Sequence, residues 1–108
     1  ADAYPGTPQV VWDEAHRYGG RTLVIINTHA ANSLAFRVLV KMNKNHAVEI
    51  LYPLDGAVPP GTEKTLTALQ YALIYIKEDF DTVSVQLKSS SAGNAATFEV
   101  YVQGTRGL

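Results

Sequence analysis

Between Thr22 and Gly61 the chain carries two apolar runs, TLVIIN (Thr22–Asn27) and LAFRVLVKM (Leu34–Met42), then a proline-punctuated connection, YPLDGAVPPG (Tyr52–Gly61). The second run alternates strictly: Leu34, Phe36, Val38, Val40 and Met42 on one side, Ala35, Arg37, Leu39 and Lys41 on the other. A period of two belongs to a strand, not a helix. Runs of this kind, joined by turn chemistry with no helical period between them, predict an all-β chain folded as a sandwich. In Thr22–Asn27 both faces are apolar, Leu23 and Ile25 on one and Val24 and Ile26 on the other. Such a strand is expected to be central or covered on both sides.

At 108 residues a single domain over 1–108 is expected, burying roughly 65% of the surface it exposes unfolded. That suffices for a core without metal or disulfides. The absence of cysteine removes disulfides, thiolate catalysis and cysteine-based zinc sites together, and agrees with a reducing compartment. Nine basic and ten acidic residues give a formal net charge of −1, too balanced for a nucleic-acid footprint. ADAYPGTPQ has neither a basic n-region nor an apolar h-region, so no signal peptide is expected in it. No apolar run approaches the ~20 residues that cross a bilayer, so the chain reads as soluble and cytosolic.

Along the chain, residues 1–8 read as an extended arm, and QVVWD (Gln9–Asp13) as a first strand with Val10 and Trp12 on one face and Trp12 in the core. EAHRYGG (Glu14–Gly20) reads as a turn closed by a Gly-Gly breaker. Extended structure resumes at AVEILY (Ala47–Tyr52); Pro53 and Pro59-Pro60 then deny backbone donors, so this segment is expected at an edge or in a crossover between sheets. EKTLTALQY (Glu63–Tyr71) is a strand candidate with Leu66 and Ala68 inward, and ALIYIKEDF (Ala72–Phe80) is ambiguous between strand and helical turn. DTVSVQLK (Asp81–Lys88) turns Val83, Val85 and Leu87 inward. After a loop at SSSAGN (Ser89–Asn94), ATFEVYVQG (Ala96–Gly104) is expected to pair back with Phe98, Val100 and Val102 inward. About seven short strands at regular spacing suggest an immunoglobulin-like seven-stranded β-sandwich.

Candidate chemistry is sparse. The three histidines, His16, His29 and His46, fall in expected loops without metal-ligand spacing. The serines and the carboxylates Glu78, Asp79 and Asp81 have no nucleophile-elbow context and no adjacent base. Pro59–Gly61 lacks the glycines and lysine of a phosphate loop. No catalytic residue, cofactor or metal site is therefore expected. Arg37 and Lys41 share a strand face, with Lys44 in the following turn, and the strip Arg37, Leu39, Lys41 and Lys44 is the candidate partner-binding surface; its plain alternative is charge that blunts an exposed strand. Tyr71, Leu73, Tyr75 and Ile76 are expected in the core, and would form a self-association patch if their strand lay at an edge. Pro53, Gly56, Pro60 and Gly61 are candidate structural determinants of the crossover, Pro53 being a place for a cis bond.

The ordered set of these segments resembles the major sperm protein domain family. VVWDEAHRYGGRTLVIIN followed by LAFRV is similar to the opening of that domain, in which an apolar strand ends in Asn and the next carries an aromatic-basic-aliphatic triplet, here Phe36-Arg37-Val38. The crossover matches at Pro53, Gly56, the small or aliphatic pair Ala57-Val58, and Pro60-Gly61. EDFDTVSVQLKSSSAGNAATFEVYVQG (Glu78–Gly104) resembles the nematode sperm proteins in spacing and in its closing Gln-Gly. The resemblance spans nearly the whole chain. It implies a seven-stranded immunoglobulin-like sandwich without enzymatic activity. One branch of the family dimerises and builds the filaments of crawling nematode sperm; the other, the VAMP-associated proteins, is membrane-tethered and binds acidic phenylalanine-containing peptides on a basic face. Against the second branch, Arg37 keeps the first basic position, but Leu39 replaces the second, Val40 and Lys41 stand at the threonine positions, and Thr82 and Ser84 stand where a lysine and a methionine hold the peptide.

The expectation is thus a cytoplasmic, cytoskeleton-associated assembly module that forms a homodimer or pairs with a related protein through surface complementarity, without nucleic acid or membrane insertion. A monomeric adaptor that binds peptide motifs is the alternative, and an enzyme is third.

Overall fold

The computed structural model describes residues 4, 9–43, 45, 49–54, 61–90 and 96–106. These form two antiparallel sheets built from β1 (Gln9–Asp13), β2 (Tyr18–Asn27), β3 (Leu34–Lys41), β4 (Ile50–Leu51), β5 (Glu63–Leu66), β6 (Tyr71–Tyr75), β7 (Thr82–Ser89) and β8 (Phe98–Arg106), with a 3-10 turn at Ala15–Arg17. One sheet runs β1-β7-β3-β4, with β5 also on β3; the other runs β6-β2-β8. Strands β4 and β5 divide one edge of β3, β4 beside Leu39–Val40 and β5 beside Leu34–Arg37.

The core lies between the sheets. Alternation on β3 turns Leu34, Phe36, Val38 and Val40 inward, and all four are buried at 1% exposure or less. Register sets Val83, Val85 and Leu87 of β7 beside Val40, Val38 and Phe36. The opposing sheet contributes Leu23 and Ile25 from β2 and Ala72 and Ile74 from β6. Burying a side chain such as Phe36 contributes about 1.5–3 kcal/mol against leaving it exposed. Strand β2 is central, as its two apolar faces require; its inner face is fully buried and its outer residues Val24 and Ile26 are half-buried.

Several local expectations change. A bulge between Val10 and Trp12 places Val10 opposite Ser84 and Trp12 opposite Val83. One extra residue flips the alternation, so Trp12 enters the core at 6% exposure while Val10 faces out at 55%. Gly19-Gly20 does not break the chain: β2 runs through it with a register shift between Gly19 and Thr22, and Gly20 takes φ +60, a conformation open to glycine. Glu63–Tyr71 is not one strand, because a turn separates β5 from β6. Its Gln70 N–H donates to the Thr67 carbonyl at 3.1 Å, and Leu69 stands in the left-handed region at φ 63. Ala72–Phe80 resolves as strand over the β6 portion. The last strand does not pair back on β7, whose edges are already held by β1 and β3; β8 crosses to β2 instead. Phe98 and Val102 share the inner side with Leu23 and Asn27, yet stay exposed because β8 is an edge. Met42 lies beyond β3 and is exposed.

In the crossover the Leu54 N–H donates to the Gly61 carbonyl at 2.9 Å, drawing its two ends together, and Pro53 is exposed. Its flanks β4 and β5 remain on one edge of one sheet rather than switching sheets. Gly56 and Pro60 lie outside the described residues.

Two polar side chains complete the inner face of β2. At one end Arg21, 4% exposed, donates through Nη1 to the carbonyls of Ala15, at 3.0 Å, and Tyr18, and through Nη2 to those of Lys77 at 3.3 Å and Glu78 at 2.6 Å. At the other end the Asn27 amide donates to the carbonyls of Asn32 at 2.8 Å and of Leu66 and Thr67 at 3.1 Å. Each ties together two connections that pass between the sheets. Buried carbonyls require such partners.

Candidate interaction surface

The outer faces of the two sheets differ. On the five-stranded sheet, Arg37, Leu39 and Lys41 do share the outer side, as alternation requires. Strand β7 lays Gln86, Ser84 and Thr82 beside them, and those three, with Ala35 and Leu39, are buried. Tyr4 supplies part of the cover. Its ring centre is 4.3 Å from both the Arg37 guanidinium and the Lys88 ammonium, within cation–π range, and its hydroxyl donates to Glu63 Oε2 at 2.6 Å. Burial, the hydrogen bond to Glu63 and the charge of Glu63 together push the Tyr4 phenol well above its ordinary range. Arg37 Nε donates to Gln86 Oε1 at 2.6 Å. Lys41 is half-buried at the end of β3, where its carbonyl accepts the Asp81 N–H at 2.9 Å. Lys44 lies outside the described residues. The strip joined by alternation is thus assembled on one face, but its aliphatic member is buried and its arginine is engaged within the chain.

The outer face of the three-stranded sheet is open. Tyr71 and Leu73 are 64% exposed, Tyr75 53% and Tyr101 54%. Register sets Tyr71, Ile26 and Glu99 in one row, Leu73, Val24 and Tyr101 in the next, and Tyr75, Thr22 and Gln103 in the third. The surface is apolar on β6 and grows polar toward β8, where the Tyr101 hydroxyl donates to Glu99 Oε2. That bond, and then the carboxylate charge, raise the Tyr101 phenol above its ordinary value. Of the four residues that the sequence assigns to the core here, Ile76 is buried, beside Ala72 and Ile74, while Tyr71, Leu73 and Tyr75 turn out.

Strand β6 is also an edge. The Ile76 N–H donates to the Arg21 carbonyl at 3.0 Å and the Asn27 N–H to the Gln70 carbonyl at 2.9 Å. Those bonds set the phase of the ladder, in which paired groups alternate along each strand. Residues 70, 72, 74 and 76 turn their backbone groups to β2, and Tyr71, Leu73 and Tyr75 turn theirs to the outer edge, where the Tyr75 carbonyl accepts the Tyr52 hydroxyl at 3.5 Å. Beside that edge runs a groove of about 370 Å³ between β6 and the segment Tyr52–Leu54, with Lys64, Lys77 and Glu78 on its walls. The Tyr52 hydroxyl spans it to Glu78 Oε1 at 2.7 Å, a bond that lowers the Glu78 carboxyl below its ordinary value.

His16 Nδ1 stands 3.8 Å from Asp81 Oδ1, and His29 Nδ1 accepts the backbone N–H groups of Ala31 at 3.0 Å and Asn32 at 2.9 Å. His46 lies outside the described residues. Among the described residues no three histidine, aspartate or glutamate side chains gather as a metal site, and no helix is long and apolar enough to cross a membrane. Comparisons with known protein families, curated proteins and solved structures find no match.

Proposed function

We propose that this chain is a non-enzymatic protein–protein assembly module of the major sperm protein type, with an immunoglobulin-like sandwich that associates with copies of itself or a related chain in cytoplasmic, filament-related work, as in nematode sperm motility. The observation that carries the assembly reading is the open apolar face on the three-stranded sheet, where Tyr71, Leu73, Tyr75 and Tyr101 are each more than half exposed around Val24 and Ile26. Contiguous apolar surface of this kind marks contact sites, and aromatic residues are enriched at their centres. The immunoglobulin-like reading draws support from the division into four lateral strand places in one sheet and three in the other, with β4 and β5 sharing one place. The sperm-protein assignment rests on the sequence resemblance.

Sedimentation velocity over a wide concentration range tests the reading. Species that grow with concentration are expected; a strict monomer at the highest attainable concentration overturns it. A second reading, an adaptor that adds a peptide as an extra strand, is favoured by the free edge of β6 beside its groove.

A further inference from the structure

We propose that β6 is the seam of self-association: two copies join by antiparallel pairing of Tyr71–Tyr75 with its counterpart about a two-fold axis at Leu73. The inference rests on the assembly reading and names the surface and the partner, a second copy of this chain.

Three observations point to it. The backbone groups of Tyr71, Leu73 and Tyr75 face away from β2, so an antiparallel partner meets three narrow hydrogen-bonded pairs once the Tyr52 hydroxyl, 3.5 Å from the Tyr75 carbonyl, gives way. The outward side chains read Tyr-Leu-Tyr in either direction. Pairing about Leu73 therefore sets Tyr71 against Tyr75 twice and leucine against leucine, the isologous match that a two-fold dimer needs. Strand β6 also lacks the devices that keep edges apart. Tyr71–Tyr75 has no charge, proline or bulge, whereas β1 is bulged, β5 carries Glu63 and Lys64, and β8 carries Glu99.

Joining β6 to β6 makes one six-stranded sheet from two of three strands. The row Tyr101, Val24, Leu73 then continues into its symmetry mate as one apolar stripe. Aromatic side chains bury about 150–250 Å² when wholly covered. Half-exposed ones meeting along an edge hide no more than about 400 Å² per copy, roughly 800 Å² in all, below the ~1,200 Å² of stable complexes. The pair is therefore weak and concentration-dependent, suited to reversible assembly.

The test compares wild type, Leu73→Pro, Leu73→Lys and Tyr101→Lys by sedimentation equilibrium, with circular dichroism reporting the fold. Proline at 73 removes an N–H that has no partner among the described residues but donates across the seam in both copies; losing two such bonds raises the dissociation constant roughly thirtyfold. Leu73→Lys sets two charges together on the axis and also abolishes pairing. Tyr101→Lys changes the same face away from the seam and leaves association nearly unchanged. In wild type, the Leu73 amide exchanges more slowly as concentration rises; this measurement decides the matter should Leu73→Pro unfold. Association that survives Leu73→Pro but fails in Tyr101→Lys overturns the seam in favour of face-to-face packing, and the assembly reading stands. Wild type that remains monomeric, or that protects the Leu73 amide only when an added peptide is bound, overturns both.

Discussion

Asn27→Asp replaces one atom of a buried side chain and reverses its role. Asn27 is 1% exposed; its Nδ2 donates to three carbonyls at 2.8–3.1 Å, and its Oδ1 accepts the His29 N–H at 3.0 Å. An amide has two protons, so the three acceptors share them. At about 1 kcal/mol net for each of two donated bonds, plus part of the penalty for carbonyls left unpaired, truncation at this position costs about 3 kcal/mol. Aspartate keeps the shape but points a carboxylate oxygen at the carbonyls. Protonated, it still donates one bond and loses about 1–2 kcal/mol. Ionised, it is repelled and desolvated, so its folded-state pKa lies above the unfolded value near 3.9 and the penalty grows by about 1.4 kcal/mol per unit of that upward displacement. With the folded pKa raised, the variant is least impaired below about pH 4 and loses further stability as pH rises to the folded pKa, levelling above it. A loss of about 4 kcal/mol near neutrality is a large part of the ~5–15 kcal/mol typical of a whole domain. Urea unfolding of wild type and variant at pH 3.5 and pH 7 reads both numbers. A loss below about 1 kcal/mol, or one identical at the two pH values, refutes the role assigned to Asn27.

Arg21 gives a parallel expectation: Arg21→Met loses about 3 kcal/mol or more in urea unfolding because several carbonyls lose a charged donor. Asp79→Ala loses less than about 0.5 kcal/mol, since that carboxylate, 3.1 Å from Nη2, is 79% exposed. Equal losses would show that the ion pair, not the carbonyl cluster, holds the arginine. Leu69, exposed and at φ 63, stands where a branched side chain is strained, so Leu69→Gly raises stability by up to about 1 kcal/mol, read as a higher thermal midpoint; a lower midpoint would show that Leu69 makes a needed contact. The Tyr4 phenol, raised in the fold, contributes stability that is fully present below the unfolded value of 10.0 and lost as pH rises through the folded value. Absorbance titration is expected to show late tyrosine ionisation, to which Tyr101 also contributes, that diminishes in Tyr4→Phe; a late phase of unchanged size would detach Tyr4 from Glu63.

Much of the sandwich was legible in local pattern. Alternation over Leu34–Lys41 and Asp81–Lys88 placed Phe36, Val38, Val83 and Val85 inward, because side chains on a strand turn to opposite faces whatever the neighbours are. Doubly apolar Thr22–Asn27 marked a central strand. The same rule failed at Val10, where a bulge adds a residue, and the breaker signal failed at Gly19-Gly20, where β2 runs on with a register shift. The turn at Thr67–Gln70 carries no glycine or proline, so nothing local announced it. Arg21 also went unmarked: an arginine before an apolar run reads as solvated until its carbonyl partners, brought from Ala15 and from Lys77–Glu78, surround it.

The candidate surface divides along the same line. That Arg37, Leu39 and Lys41 share a face, and that Tyr71, Leu73 and Tyr75 share another, follows from period two alone. Which face is open does not. Alternation is a property of one strand, fixed by the geometry of adjacent residues; exposure depends on which strands occupy each edge and what lies over each sheet. The pairing of β8 with β2, the placing of Tyr4 over Arg37 and the position of β6 at an edge are contacts between residues far apart in the chain. Only the tertiary structure decides them, and they turn Tyr71–Tyr75 outward as a free apolar edge.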